Sequence, residues 1–132
     1  MTQFPEQKSA LAAAAFFGFT AVLLGAFGAH ELKKTVSAEM LAIFDTGCRY
    51  HLAHALALLG LAALPPVIHG KFFKAVLWCW SAGIIIFSGS LYLLVLTGLC
   101  TWGMITPLGG VLLMAGWLML WISAVWRGNR LS

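Results

Sequence analysis

Long apolar runs separated by short polar stretches form the main pattern of this chain of 132 residues. The first run, residues 10–29, contains no charged side chain, and about twenty helical residues are needed to cross a hydrocarbon core of roughly 30 Å. Ala26, Phe27 and Gly28 also resemble a signal-peptide cleavage site, but the run is long for a signal core. We therefore interpret residues 10–29 as a retained transmembrane helix.

A polar stretch follows at residues 30–49 and holds six of the twelve charged residues. Within it, apolar or small residues recur at helical spacing, while the acidic residues lie off that stripe. This pattern predicts a short amphipathic helix that lies on the membrane surface or caps the bundle. The residues of the stripe are Val36, Met40, Ile43, Phe44 and Gly47.

The second apolar run predicts a span over residues 50–68, whose apolar part stops before Pro65 and Pro66. Two consecutive prolines do not continue a helix, because each lacks a backbone N–H and the second restricts the first. His69, Lys71 and Lys74 then form a short basic loop. Because this span is short, an alternative is that the preceding polar stretch is the start of the same long helix.

Residues 75–126 contain no charged side chain, and a single helix of that length would be far too long for a bilayer. Turn signals at residues 100–107 divide the run into spans at 75–99 and 107–126. The predicted fold is therefore all-α: a single domain, 1–132, forming a polytopic integral membrane protein. We expect a four-transmembrane-helix bundle with a short amphipathic segment between the first two spans.

Composition supports a membrane environment, since 61% of the residues are hydrophobic and only 9% are charged. Soluble domains usually carry about a quarter charged residues. The basic residues lie only at the edges of apolar runs, so they do not form the exposed stripe of a nucleic-acid-binding protein. If the chain crosses the membrane four times, five of the eight basic residues lie on the same side as both termini, and the other three lie on the opposite side. The positive-inside rule then predicts cytoplasmic termini. The first group is Lys8, Lys71, Lys74, Arg127 and Arg130, and the second is Lys33, Lys34 and Arg49.

Small residues recur at four-residue spacing on the first predicted span, in the rows Ala10, Ala14, Gly18 and Ala21, Gly25, Ala29. Membrane helices associate through close backbone packing at such rows. They predict packing within one bundle or, alternatively, contact between protomers, and we expect a homo-oligomer. We expect membrane lipid to be the partner of this protein. A second membrane protein is the alternative partner.

Several strings occur together in one order along the chain. They are Gly25-Ala-Phe-Gly-Ala-His30, Thr46-Gly-Cys-Arg-Tyr-His-Leu-Ala-His54, Phe87-Ser-Gly-Ser-Leu-Tyr92, Leu96-Thr-Gly98 and Ile105-Thr-Pro-Leu-Gly-Gly110. With these strings the sequence resembles the YgdD/YwdK family of small bacterial inner-membrane proteins, over nearly its whole length. The resemblance implies a four-helix protein of the plasma membrane and brings no established activity. Glutamine is common in that family where this chain has His51, which weakens any role that rests on His51.

Polar side chains gather near the predicted non-cytoplasmic end of the bundle. Ionisable groups inside a membrane are costly and indicate either function or a satisfied partner. The structural interpretation is that they snorkel toward water or bond between helices. A site for a lipid headgroup, a quinone or a small solute is the first alternative. A metal or haem site built from His30, His51 and His54 is the second, although no metal-binding motif supports it. The hypothetical ligand-binding residues are His30, Tyr50, His54, Ser88, Ser90, Tyr92, Thr97 and Thr106.

Catalytic chemistry has little support in the sequence, because the acidic residues after Glu6 all lie in the first polar stretch. Cys48 and Cys100 are able to meet on one side of the membrane, but no spacing demands a disulfide. We therefore expect a non-enzymatic protein that binds lipid or a protein partner, without cofactor or metal. The alternative is a small oligomeric transporter or permeation module with its polar site near the non-cytoplasmic face, around His54, Ser88 and Tyr92.

Overall fold

The computed structural model describes residues 5–65 and 70–128, and all regular structure within them is helical. Residues 66–68 of the predicted second span, His69 and Arg130 lie outside the described residues. Four long helices follow one another along the chain, with a short 3-10 helix between the first two and another between the last two. The long helices are α1 (Pro5–His30), α2 (Ala38–Ala63), α3 (Lys71–Thr97) and α4 (Thr106–Gly128), and the 3-10 helices are Leu32–Lys34 and Cys100–Met104.

The second helix begins much earlier than the residue 50 predicted for the second span. The Ser37 side chain accepts a hydrogen bond from the Met40 amide at 3.2 Å and caps the first turn of α2. From there α2 runs unbroken to Ala63, so the predicted amphipathic segment is the first part of this helix and not a separate one. Its stripe packs inward, since Phe44 is fully buried and Gly47 lies against Tyr92. The alternative of one long helix is therefore correct.

The third helix ends where a left-handed residue reverses the chain. Gly98 has φ 70°, a conformation that glycine adopts without a steric penalty, and its N–H bonds back to the Leu94 carbonyl. The predicted spans at 75–99 and 107–126 therefore fall within two residues of α3 and α4 at the turn between them. Pro107 occupies the first turn of α4, where a missing N–H has no cost.

Three segments are long and apolar enough to cross a membrane: Pro5–Lys34, Lys71–Thr97 and Cys100–Trp126. The α2 helix has comparable length but is more polar, because Glu39, Asp45 and Arg49 lie in its first half. The structure therefore has three apolar helices of spanning length and a fourth that is amphipathic at its start.

Helices that are consecutive in sequence pack against one another, so α2 and α3 lie in the middle, with α1 on α2 and α4 on α3. Glycines allow the closest approach between α3 and α4. A Cβ on Gly109 would lie 2.7 Å from the Phe87 Cα, and a Cβ on Gly83 would meet the Leu113 side chain. On α1, Ala10 and Ala14 are buried in the core, whereas Gly18 has no neighbour within 4 Å of an added Cβ. The α3–α4 contact thus depends on glycine at defined positions.

Candidate functional site

A chain of hydrogen bonds joins three helices through His51, whose side chain is buried in α2. The His51 Nδ1 lies 2.9 Å from the Tyr92 hydroxyl on α3, and its Nε2 lies 3.0 Å from the Thr20 hydroxyl on α1. The Thr20 hydroxyl in turn lies 3.0 Å from the Phe16 carbonyl and 3.1 Å from that of Phe17. Together these contacts connect α1, α2 and α3 at one depth.

The number of available protons fixes which atom donates in each hydrogen bond around His51. The hydroxyl of Thr20 has one proton, and a carbonyl only accepts, so Thr20 donates to the backbone and accepts from His51 Nε2–H. The neutral ring then carries its proton on Nε2, and Nδ1 accepts from the Tyr92 hydroxyl. Every donor and acceptor of the imidazole is satisfied, which is what a buried polar group requires.

His54, one turn further along α2, has the opposite proton arrangement. Its Nδ1 lies 2.8 Å from the Tyr50 carbonyl, so Nδ1 carries the proton and donates. Its Nε2 accepts the indole N–H of Trp117 on α4 at 3.0 Å. The ring also lies edge-on to the rings of Trp80 and Trp117, with centroids 6.2 and 6.0 Å away. His54 therefore links α2 to α4 as His51 links α2 to α1 and α3.

Serine hydroxyls complete the polar contacts between helices. Ser88 on α3 donates to the Gly47 carbonyl on α2 at 2.7 Å and is almost fully buried. Ser90 lies 2.6 Å from the Thr106 hydroxyl at the start of α4 and 2.9 Å from the Phe87 carbonyl. These bonds agree with the structural interpretation, in which hydroxyls bond across helices or back to their own.

The structure divides the predicted cluster into separate groups. Tyr92 and Ser88 lie between α2 and α3, Ser90 bonds Thr106 between α3 and α4, and Tyr50 with His54 faces α4. His30 is exposed at the end of α1, and Thr97 bonds back to the Leu93 carbonyl of its own helix. The eight residues therefore do not share one pocket, and their binding of a ligand remains a prediction.

A recess of about 260 Å³ opens on the outer surface between α2 and α4, and we call it the α2–α4 recess. Tyr50, with 46% of its surface exposed, and Trp117, with 49%, form its rims. The Tyr50 hydroxyl makes no hydrogen bond to the residues that the structure describes. The recess thus offers an apolar wall with one free hydroxyl. Its lining residues are Tyr50, His54, Phe87, Gly110, Leu113, Met114 and Trp117.

Sequence reasoning missed Thr20 and Trp117, which partner the two histidines. Thr20 lies in the middle of an apolar run, and a threonine there is compatible with bonding only to its own helix. Trp117 falls in a tryptophan-rich helix, where lipid-facing positions are common. A histidine in the second span required partners on other helices, but nothing in the sequence indicated which.

The arrangement leaves no imidazole nitrogen free to bind a metal at His51 or His54, since all four nitrogens have partners. Among the described residues, no group of three histidine, cysteine or acidic side chains is close enough to hold an ion. Cys48, Cys79 and Cys100 form no disulfide in the structure.

Apolar helices of spanning length, with polar side chains paired between them, define a small all-helical membrane protein. A family model described as protein of unknown function (DUF423) matches residues 24–110. The chain is 43% identical to the UPF0382 inner membrane protein YgdD of Escherichia coli K12 over 113 residues, 85% of this chain and 86% of that protein. It is 43% identical to the UPF0382 membrane protein YwdK of Bacillus subtilis over 80% of this chain and 86% of that protein.

A UPF0382 membrane protein of Haemophilus influenzae is 41% identical over 80% of this chain and 85% of its own length. This chain therefore belongs to the DUF423 family of membrane proteins of unknown function, and the resemblance in the sequence is confirmed. No solved structure matches it at a significant level.

Proposed function

We propose that this protein is a non-enzymatic, four-span membrane protein that binds membrane lipid on its outer surface and works without cofactor or metal. The observation that carries the proposal is the pairing of polar groups. Both buried histidines and their partners Thr20, Tyr92 and Trp117 bond one another between helices. Groups already engaged in this way stabilise helix packing and leave no imidazole lone pair free for ion coordination. The α2–α4 recess, by contrast, opens on the outer surface, which faces lipid in this proposal.

The α2–α4 recess is the proposed lipid site. At about 260 Å³ it is smaller than the roughly 300–1,000 Å³ of most ligand sites, so it suits part of one acyl chain rather than a whole ligand. Arg49, exposed and next in sequence to Tyr50, has no carboxylate partner among the described residues. An exposed guanidinium is suited to a lipid phosphate, which it binds through two parallel hydrogen bonds.

In this proposal α2 is the fourth span, with its first residues on the non-cytoplasmic side, and both termini are cytoplasmic. The excess of basic residues on the side of the termini supports this orientation. We also propose that protomers assemble with copies of themselves. Gly18 and Gly25 support this part, because an added Cβ at either position meets nothing within 4 Å, which leaves flat surface on α1.

Native mass spectrometry of the full chain, released gently from its own membrane, tests the proposal. Gly110→Leu should fill the recess, because a Cβ there meets Phe87 only at ordinary distances, 3.7 and 3.8 Å. Val111→Leu, on the exposed next position, is the matched control. We expect Gly110→Leu to lose at least half of the retained lipid and the control to keep it. Equal lipid retention in both variants would contradict binding in this recess, and the same spectra report the oligomer.

A further inference from the structure

A second recess lies between the first turns of α1 and α3, and we call it the α1–α3 groove. Its volume is about 440 Å³, which falls within the range of ligand sites, unlike the α2–α4 recess. Both helices begin at this end, so the groove starts at the membrane interface and runs inward along Ala13, Leu77 and Trp78. It is therefore polar at its mouth and apolar further in.

Two opposite charges stand at the mouth of the groove. Lys74 Nζ lies 3.1 Å from Glu6 Oε1, and the exposed fractions of the two side chains are 62% and 22%. One oxygen of the carboxylate and further N–H groups of the ammonium remain available, since this is the single ion pair that either side chain makes within the described residues. The mouth thus presents a cation and an anion side by side with no net charge.

Donors without partners continue into the groove. Neither the Ser81 hydroxyl, on the partly buried wall, nor the indole N–H of Trp78 makes a hydrogen bond within the described residues. Ser9, by contrast, is engaged with the Pro5 carbonyl at 3.0 Å. A half-buried hydroxyl beside lipid requires an acceptor, and the ester oxygens of a phospholipid lie between its headgroup and its chains.

We propose that the α1–α3 groove is a binding site for a phospholipid with a phosphoethanolamine headgroup. The lipid phosphate accepts hydrogen bonds from Lys74, and its ammonium donates to the carboxylate of Glu6. An ester oxygen accepts from Ser81, and an acyl chain lies along Leu77 and Trp78. A zwitterionic headgroup places its two charges opposite the two of the ion pair, so no charge remains uncompensated. This site is independent of the α2–α4 recess, because the two share no residue.

The choice of headgroup follows from charge and donor number. An anionic phosphatidylglycerol would bring its phosphate to Lys74 but leave Glu6 facing a hydroxyl-rich headgroup and a net negative charge. A choline headgroup carries the same net charge as ethanolamine, but its ammonium has no N–H to donate to the carboxylate. The pair Glu6 and Lys74 therefore selects an ammonium that donates.

Lipid titration of the purified full chain, followed by native mass spectrometry, tests this site. Phosphatidylethanolamine, phosphatidylcholine and phosphatidylglycerol with the same two oleoyl chains are the probes. We expect at least fivefold more phosphatidylethanolamine than either of the others to bind the unmodified chain. Glu6→Gln and Lys74→Met should each remove this preference. Glu31→Gln is the matched control, because Glu31 makes an ion pair of the same 3.1 Å length with Lys34 but lines none of the recesses described here.

A further variant separates lipid binding from the stability of the ion pair. Ser81→Leu leaves Glu6 and Lys74 intact but narrows the groove, so it should also lower phosphatidylethanolamine binding at least fivefold. Equal binding of the three lipids to the unmodified chain would overturn the proposal, as would a preference for phosphatidylglycerol. A preference that survives in both charge variants would overturn it too. Gly110→Leu should leave this preference unchanged, so failure of the α2–α4 recess is distinguishable from failure here.

Discussion

The hydrogen bond between Tyr92 and His51 should contribute measurably to the stability of the bundle. Tyr92→Phe removes the hydroxyl alone, because the ring keeps its contact with Phe44, at 4.9 Å between centroids, and its place against Gly47. His51 Nδ1 is then left without its donor in a buried position. Hydrogen bonds between membrane helices average about 0.6 kcal/mol, with a maximum of about 1.7.

We expect Tyr92→Phe to lower the free energy of unfolding by about 1 kcal/mol, or about fivefold in the ratio of folded to unfolded protein. An unsatisfied buried acceptor costs about 1–3 kcal/mol, and the membrane average draws the value toward the lower end of that range. Reversible unfolding in mixed micelles, followed by the fluorescence of the six tryptophans, measures the change.

Two substitutions at His51 make the test specific to the proton arrangement. Glutamine offers one amide donor toward Thr20 and one carbonyl acceptor toward Tyr92, as the neutral imidazole does. His51→Gln should therefore retain most of the stability, whereas His51→Leu should lose it. When His51→Leu is combined with Tyr92→Phe, we expect a coupling energy of about 0.5–1.5 kcal/mol between the two substitutions. Effects that add to within about 0.3 kcal/mol would refute the assigned hydrogen bond, as would equal losses for glutamine and leucine.

Three further predictions concern packing, the second histidine and orientation. Gly109→Ala should destabilise the fold by about 1–3 kcal/mol, because its Cβ would overlap the Phe87 backbone, while Gly89→Ala, where space is open, should change little in the same unfolding assay. Trp117→Phe should cost about 1 kcal/mol by leaving His54 Nε2 without a donor, and an unchanged unfolding midpoint would contradict that bond. Labelling of introduced cysteines tests the orientation in a background where Cys100, which has an exposed thiol, is replaced by serine. Lys33→Cys should react with a membrane-impermeant maleimide added outside intact cells, and Lys8→Cys should not. The reverse result would overturn the proposed topology.

The extent of the long helices could be predicted where the sequence carries explicit stop signals. Turn signals at residues 100–107, which include Pro107, predict the turn between α3 and α4, and both boundaries lie close to their predicted positions. Gly98, which ends α3, is not among those signals. The predicted start of the second span at residue 50 lies twelve residues after the start of α2 at Ala38, because Glu39, Asp45 and Arg49 are typical of the edge of a span. Charged residues on one face do not end a helix when the other face is buried, as Phe44 and Gly47 are.

The candidate site could be predicted by residue type but not by partner. Helical spacing places His51 and His54 on α2, yet which helix each one faces depends on how α1 and α4 pack on the middle pair. The resemblance implies glutamine where this chain has His51. Glutamine and a neutral imidazole each present one donor and one acceptor, so this departure does not weaken the role of His51 in joining helices. A hydroxyl such as that of Thr20 gives no sign of a second partner until the helices are in place.

The charged first half of α2 has a consequence for how the protein enters the membrane. A charged residue near the centre of an inserting helix costs about 2.5–3.5 kcal/mol, whereas α1, α3 and α4 carry long runs without one. In the proposed four-span topology, we therefore expect α2 to insert into the membrane inefficiently on its own and to become stable there only when α1 is beside it and α3 follows. The hydrogen bonds of His51 to α1 and α3 would then act during biogenesis, by retaining α2 in the membrane while the rest of the chain is synthesised.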